Sequence, residues 1–173
     1  MAFKKGDMAG FRLQLQRAAT QVPQATSDEL REIAYEARNR ARDMAPIDYG
    51  DLKNAIGVKR FGVQGPGGRF ISGQSIYEVM IDMRKPVTAS DKLAEGIKTV
   101  GDYAWEVHEH MGWAGNWRPL MPSAKSVAAG RAAGVNAGGK FLSRALLDVD
   151  LKSGGIAERL ARRAKRTLRN LDK

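Results

Sequence analysis

The stretch Ala45-Pro46-Ile47-Asp48-Tyr49-Gly50-Asp51-Leu52-Lys53-Asn54-Ala55-Ile56 lies between a helical pattern and a strand pattern, and its reading decides how the chain turns. Pro46 has no backbone N–H to donate and biases Ala45 away from helical dihedrals, so the preceding helix must stop there. Asp48 and Gly50 supply turn chemistry: a short side chain that can bond its own backbone, and a residue free to take positive φ. Leu52 and Ile56 stand four apart, so one short helical turn sets both against a core. The block carries no catalytic chemistry and reads as a structural hinge.

Upstream, Phe11, Leu15, Ala18, Ala19 and Val22 recur at helical spacing and predict a first helix that Pro23 stops. A second helix is expected from Thr26, which stands three residues before Glu29 as in a capping box. Its apolar stripe is Leu30, Ile33, Ala34, Ala37, Ala41 and Met44, rich in alanine and suited to close approach by a sheet or helix.

Downstream, residues 55–63 read as a strand whose apolar residues change face between Val58 and Phe61, which predicts a bulge or bend near Arg60. Gln64-Gly65-Pro66-Gly67-Gly68 is a turn. Tyr77, Val79, Ile81 and Met83 alternate with Glu78, Met80 and Asp82 as a second strand, giving an antiparallel hairpin with a glycine-rich tip. Residues 85–99 read as a loop with a short helix starting near Ser90. Residues 101–109 read as a helix turning into strand. Residues 111–139, with Gly112, Gly115, Pro119, Pro122, Gly130, Gly134, Gly138 and Gly139, have the composition of a long excursion. Helical spacing resumes over 140–151 with Phe141, Leu142, Ala145, Leu146 and Val149. Gly154-Gly155 breaks it before a last helix edged by Ile156, Leu160, Ala164, Leu168 and Leu171. The pattern is α+β: helices flanking a small, mostly antiparallel sheet. Residues 1–151 form the expected core domain with its extended loop at about 111–139, and 152–173 a basic C-terminal helix or arm.

Length and composition narrow the function classes. The 173 residues suffice for one domain with a real core. There is no cysteine, which excludes disulfides and thiolate chemistry. No apolar run approaches the roughly 18 residues of a membrane span, and Met1 to Met8 is basic without an apolar segment behind it, unlike a signal peptide. A soluble, intracellular protein is expected. The net charge is +10, and half of it sits in Ile156–Lys173, where Arg159, Arg162, Arg163, Lys165, Arg166, Arg169 and Lys173 face only Glu158 and Asp172. Such an end attracts nucleic acid, acidic protein or anionic lipid alike, or is simply a solvated helix face.

Candidate chemistry is sparse. His108, Glu109 and His110, with Glu106 nearby, would begin a metal site if they lay on a strand, but they do not form His-Glu-x-x-His and no third ligand is signalled. A polar edge at a contact is the plainer reading. No serine stands in a Gly-x-Ser-x-Gly elbow, and Gly65–Gly68 and Gly138-Gly139 do not match a phosphate-binding fingerprint. Trp105, Trp113 and Trp117 gather around the excursion, either to stack on bases or to anchor a neighbouring surface. No enzyme, cofactor or metal site is expected.

Pro46-Ile-Asp48-Tyr-Gly50-Asp-Leu52-Lys53 resembles the proline–x–aspartate–threonine–glycine–x–leucine–basic block of tailed-bacteriophage tail-completion, or neck (head–tail joining), proteins of the minor tail protein Z-like family, with Tyr49 where that block has threonine. The family's second block is similar to Tyr103-Ala104 through Glu109, followed by Gly139-Lys140-Phe141-Leu142. The resemblance covers most of 11–149. It implies a structural virion protein, assembled in the host cytoplasm. Its subunits would form a ring, hexameric by expectation, between the head connector or adaptor proteins and the tail terminator or tail tube, around the passing DNA and away from membranes. A ring needs two different complementary patches. The basic helix and the hairpin edge are the expected ones, with Trp113, Trp117, Arg159, Arg162, Arg163 and Arg166 as partner contacts. The alternative is a nucleic-acid-binding protein that uses the C-terminal helix.

Overall fold

The stripe Ile33, Ala34, Ala37, Ala41, Met44 is buried along one side of a single helix, α1, spanning Met8–Met44. The computed structural model describes residues 8–47, 50–64, 70–88, 97–113, 116, 118 and 120–171. Pro23 does not end the first helix; it lies inside α1, and Thr26 does not cap a second one. Proline inside a helix forfeits a hydrogen bond and costs about 3 kcal/mol. Threonine hydroxyls bond back to the helix on both sides of the ring, to carbonyls other than the Ala19 one that Pro23 leaves without its N–H partner. Thr26 Oγ1 donates back to the Val22 and Pro23 carbonyls at 3.0 Å each, and Thr20 Oγ1 to those of Gln16 and Arg17. A neighbouring helix also packs across this region, so tertiary context overrides the local breaker.

α1 does stop at Pro46, which is fully buried. α2 (Gly50–Ala55) follows, with Leu52 and Ala55 buried, and leads directly into β1 (Ile56–Gln64). β2 (Phe70–Ile81) pairs antiparallel with β1, setting Ile56 opposite Ile81, Val58 opposite Val79 and Phe61 opposite Ile76. Partners across a ladder share a face. Ile56, Val79 and Ile81 therefore join the core, while Phe61 and Ile76 point out to solvent. That outward turn of Phe61, rather than a bulge at Arg60, explains the change of face. The register shift lies between Gly62 and Gln64.

The segment after β2 pairs Pro86 with Thr99, which brings residues 85–88 beside 97–100; the expected short helix from Ser90 lies outside the described residues. α3 (Gly101–His110) stays helical to its end, correcting the expected passage into strand. Its entry is held by Asp102, which accepts from the Lys98 and Thr99 amides at 2.9 and 2.7 Å; those bonds hold its carboxyl below the usual range.

The excursion contains a helix that composition hid. α4 (Ala124–Ala132) starts at Ser123, whose hydroxyl accepts from the Ser126 amide at 3.2 Å. α5 (Phe141–Lys152) buries Phe141, Ala145 and Val149, and α6 (Ile156–Leu171) follows Gly154 and Gly155, both at positive φ. α6 lies against α1, where Ile156 and Leu160 pack on Ile33, Ala37 and Val149. The fold is α+β, a two-stranded antiparallel sheet among helices.

Candidate assembly surfaces

Leucine and aromatic residues of the Pro46 and Tyr103 blocks meet in one place, and it is the core. Leu52, Tyr103, Ala104 and Phe141 belong to a single buried cluster with Met44, Val100, Val107 and Met111. Pro46 is locked from both sides: the Ile47 amide donates to Ser126 Oγ at 3.0 Å, and the Gly138 amide to the Met44 carbonyl at 2.9 Å. Asp48 lies outside the described residues. Gly50 starts α2 without positive φ, because its place at the helix start calls for ordinary helical dihedrals; the turn does not use its freedom. Asp51 does the polar work instead. It is buried and accepts from the Thr88 amide at 2.7 Å and the Thr88 hydroxyl at 2.9 Å, tying α2 to the loop after β2. Sequence reading missed Asp51, whose only signal was a polar residue beside Leu52, and Ser126, which stands three residues after the helix-starting Ser123.

Glu109 is a structural clamp. Its carboxylate accepts from Lys140 Nζ and from His108 Nδ1, and the Lys140 amide donates to the His108 carbonyl at 2.5 Å. Lys140 holds positive φ at 54° to make this junction. A Cβ on Gly139 would collide with the Met111 carbonyl, so the chain can pass here only as glycine. His108 stacks edge-on against Phe141 with centroids 4.8 Å apart. Burial first, then the nearby charges of Lys140 and Arg144, hold its imidazole below the ordinary value. His110 pairs with Glu106 at 2.7 Å, one turn away on α3. The two histidines thus serve different carboxylates on a helix, where positions i and i+2 do not share a face. Among the described residues no three such side chains gather as a metal site.

The tryptophans separate. Trp113 is half-buried beneath the Arg144 guanidinium, 4.8 Å from the ring centre, and burial pushes Arg144 down to about 10. Arg144 also donates to the Asn136 and Gly138 carbonyls, so Trp113 belongs to the loop's own packing. Trp105 is exposed on α3, and Trp117 lies outside the described residues.

The basic residues of α6 also divide by face. Arg159 donates to Glu29 at 2.5 Å and Glu36 at 2.7 Å, bonds that hold its guanidinium above the ordinary value. Arg163 approaches Glu29 at 3.9 Å. Both belong to the joint between α6 and α1. Arg162 faces outward, donating to the Ser153 carbonyl and to Glu158 of its own helix, and Arg166 is exposed. α6 is docked on α1 through Ile156 and Leu160, while Leu168 nearer its end is exposed.

The apolar patch lies elsewhere. A groove of about 590 Å³ runs between α1 (Leu30, Ile33, Ala34), β2 from Ser75 to Val79, and α5 (Leu142, Leu146). β2 pairs only with β1 among the described residues, so its other edge borders this groove. Leu146, Leu147 and Leu151 on α5 and Ile76 on β2 are at least half exposed, with Ile76 at 67%. Leu142 is placed partly on the core and partly in the groove wall. No helix among the described residues is long and apolar enough to cross a membrane. Compared with protein-family models, curated proteins and solved structures, the chain matches none.

Proposed function

We propose that this chain is a structural assembly subunit, a phage neck or tail-completion protein that forms a ring with copies of itself between head connector and tail. The observation that carries the assembly reading is the apolar groove beside the open edge of β2, walled in part by the exposed Leu146 and Ile76. A large exposed apolar patch marks a protein–protein contact, and an open strand edge offers main-chain hydrogen bonds to a second chain. The polar groups around His108 support the same reading, since they are spent on holding α3 to α5. The identity of the assembly as a phage neck rests on the two sequence blocks centred on Pro46 and Tyr103.

Light scattering on the full-length chain, over a range of concentrations, tests the assembly reading. A closed ring is expected for the natural sequence, and smaller species for Leu146→Asp combined with Ile76→Asp. Both positions are exposed, so far-ultraviolet circular dichroism should stay unchanged. A natural chain that remains monomeric, or a double variant that assembles as before, overturns it.

A further inference from the structure

We infer that the outward face of α6 is a docking surface for the sugar–phosphate backbone of duplex DNA. Arg162, Lys165, Arg166 and Arg169 stand at i, i+3, i+4 and i+7, which places all four on one side of the helix, and all four are exposed. The row spans roughly 10 Å at 1.5 Å per residue. Of the α1 carboxylates beside α6, Glu29 and Glu36 are taken by the inner arginines Arg159 and Arg163, and Asp28 accepts from Gln24 on α1 and borders Arg163 and Thr167. Glu158 is the acidic residue on the outer side, paired with Arg162. Among the described residues Lys165, Arg166 and Arg169 make no ion pair.

Three features choose among anionic partners. At its start the apolar edge of α6, Ile156 and Leu160, is packed on α1, and further on Leu168 is exposed, less than the full apolar face with which interfacial helices sink into a bilayer. The outer face carries no aromatic side chain, which removes the stacking platforms of single-strand binders. What is left is a straight row of long cations, complementary to a duplex that carries one charge per roughly 1.7 Å of axis. Contacts of this kind go to phosphates and carry no base sequence. The inference stands on α6 alone and does not require the ring.

The test is fluorescence anisotropy of the full-length protein with a 30-base-pair duplex of arbitrary sequence, from about 50 to 200 mM salt. Four phosphate contacts predict a log–log slope near −3.6, about a 100-fold loss of affinity over that range. Arg162→Gln, Lys165→Gln, Arg166→Gln and Arg169→Gln together should flatten the slope and abolish most of the binding at low salt. They should leave the circular dichroism and the light-scattering mass unchanged. Arg159→Gln should keep the natural slope; being an inner residue, it reports whether charge count or charge position matters. The inference is overturned if the outer variant binds like the natural chain, or if Arg159→Gln weakens binding as much as one outer substitution. It also fails if single-stranded DNA or vesicles of phosphatidylserine and phosphatidylcholine bind more tightly than the duplex. Because mass and DNA binding are read separately, loss of the ring and loss of DNA affinity are told apart.

Discussion

α1 is held by different physics at its C-terminal end and further back along its length. At the C-terminal end Ala41 and Met44 enter a cluster built from Leu52, Tyr103, Val107 and Phe141. Between Glu29 and Ala37 it meets α6, where Ile33 and Ala37 touch Ile156 and Leu160 and the carboxylates of Glu29 and Glu36 receive Arg159 and Arg163. The first contact excludes water, and its strength grows with buried area and close packing. The second is half in water, and charges there are screened by salt. One stretch should therefore resist salt and suffer from lost volume; the other should tolerate lost volume and respond to salt. The groove proposed for assembly is walled by Leu30, Ile33, Ala34 and Ala37 of the stretch that meets α6, and α6 itself turns a row of cations outward.

The largest effect should come from emptying the apolar end. Phe141→Ala removes a ring with no exposure, and about 3–5 kcal/mol of stability should be lost in urea unfolding. A loss below about 1 kcal/mol would mean that the cluster is not the centre of the fold. Next comes the polar tie within that end. Asp51→Ala strands the Thr88 amide and hydroxyl that its carboxylate accepts, which should cost about 1–3 kcal/mol. Hydrogen exchange should then quicken at Thr88 and leave α6 as it was.

The charged stretch should give less. The Arg159 side chain is 23% exposed and its partner Glu36 44%, so solvent discounts the pair. Arg159→Ala should cost about 1 kcal/mol at low salt and less at high salt. A loss unaffected by salt would show that Arg159 acts through packing of its stem instead.

The smallest effect is a slope with pH. His108 is held below its ordinary value of 6.5 in the folded chain, so the unfolded chain binds the proton first. The contribution is complete above pH 6.5 and declines as the pH falls from there toward the folded value. His108→Gln should flatten the denaturation midpoint across that window. A natural chain that gains stability on mild acidification would reverse the sign and refute the burial argument.

Residues whose role depends on near neighbours were legible. The alanine stripe of α1, the stop at Pro46, the burial of Leu52 and Ile56, and the helical spacing of Phe141, Ala145 and Val149 all follow from periodicity and backbone chemistry. Pro23 was read wrongly for a physical reason. Its cost is local, while the contacts that offset it come from α6, more than a hundred residues away in sequence. Ser123 and Ser126 gave α4 a start signal, but the surrounding glycines and prolines masked it. The candidate site was the least legible part. Seven basic residues at the end of the chain look alike until α1 takes up the inner pair and leaves the outer row to solvent.

The amino-acid sequence alone settled where helices repeat, where Pro46 breaks them, and how much positive charge the last helix carries, because each is a property of neighbouring covalent units. The tertiary structure alone decided that α1 runs through Pro23, that Glu109 clamps Lys140, and which face of α6 meets water. Those outcomes depend on which distant surfaces are buried against each other, and burial is a property of the folded chain as a whole.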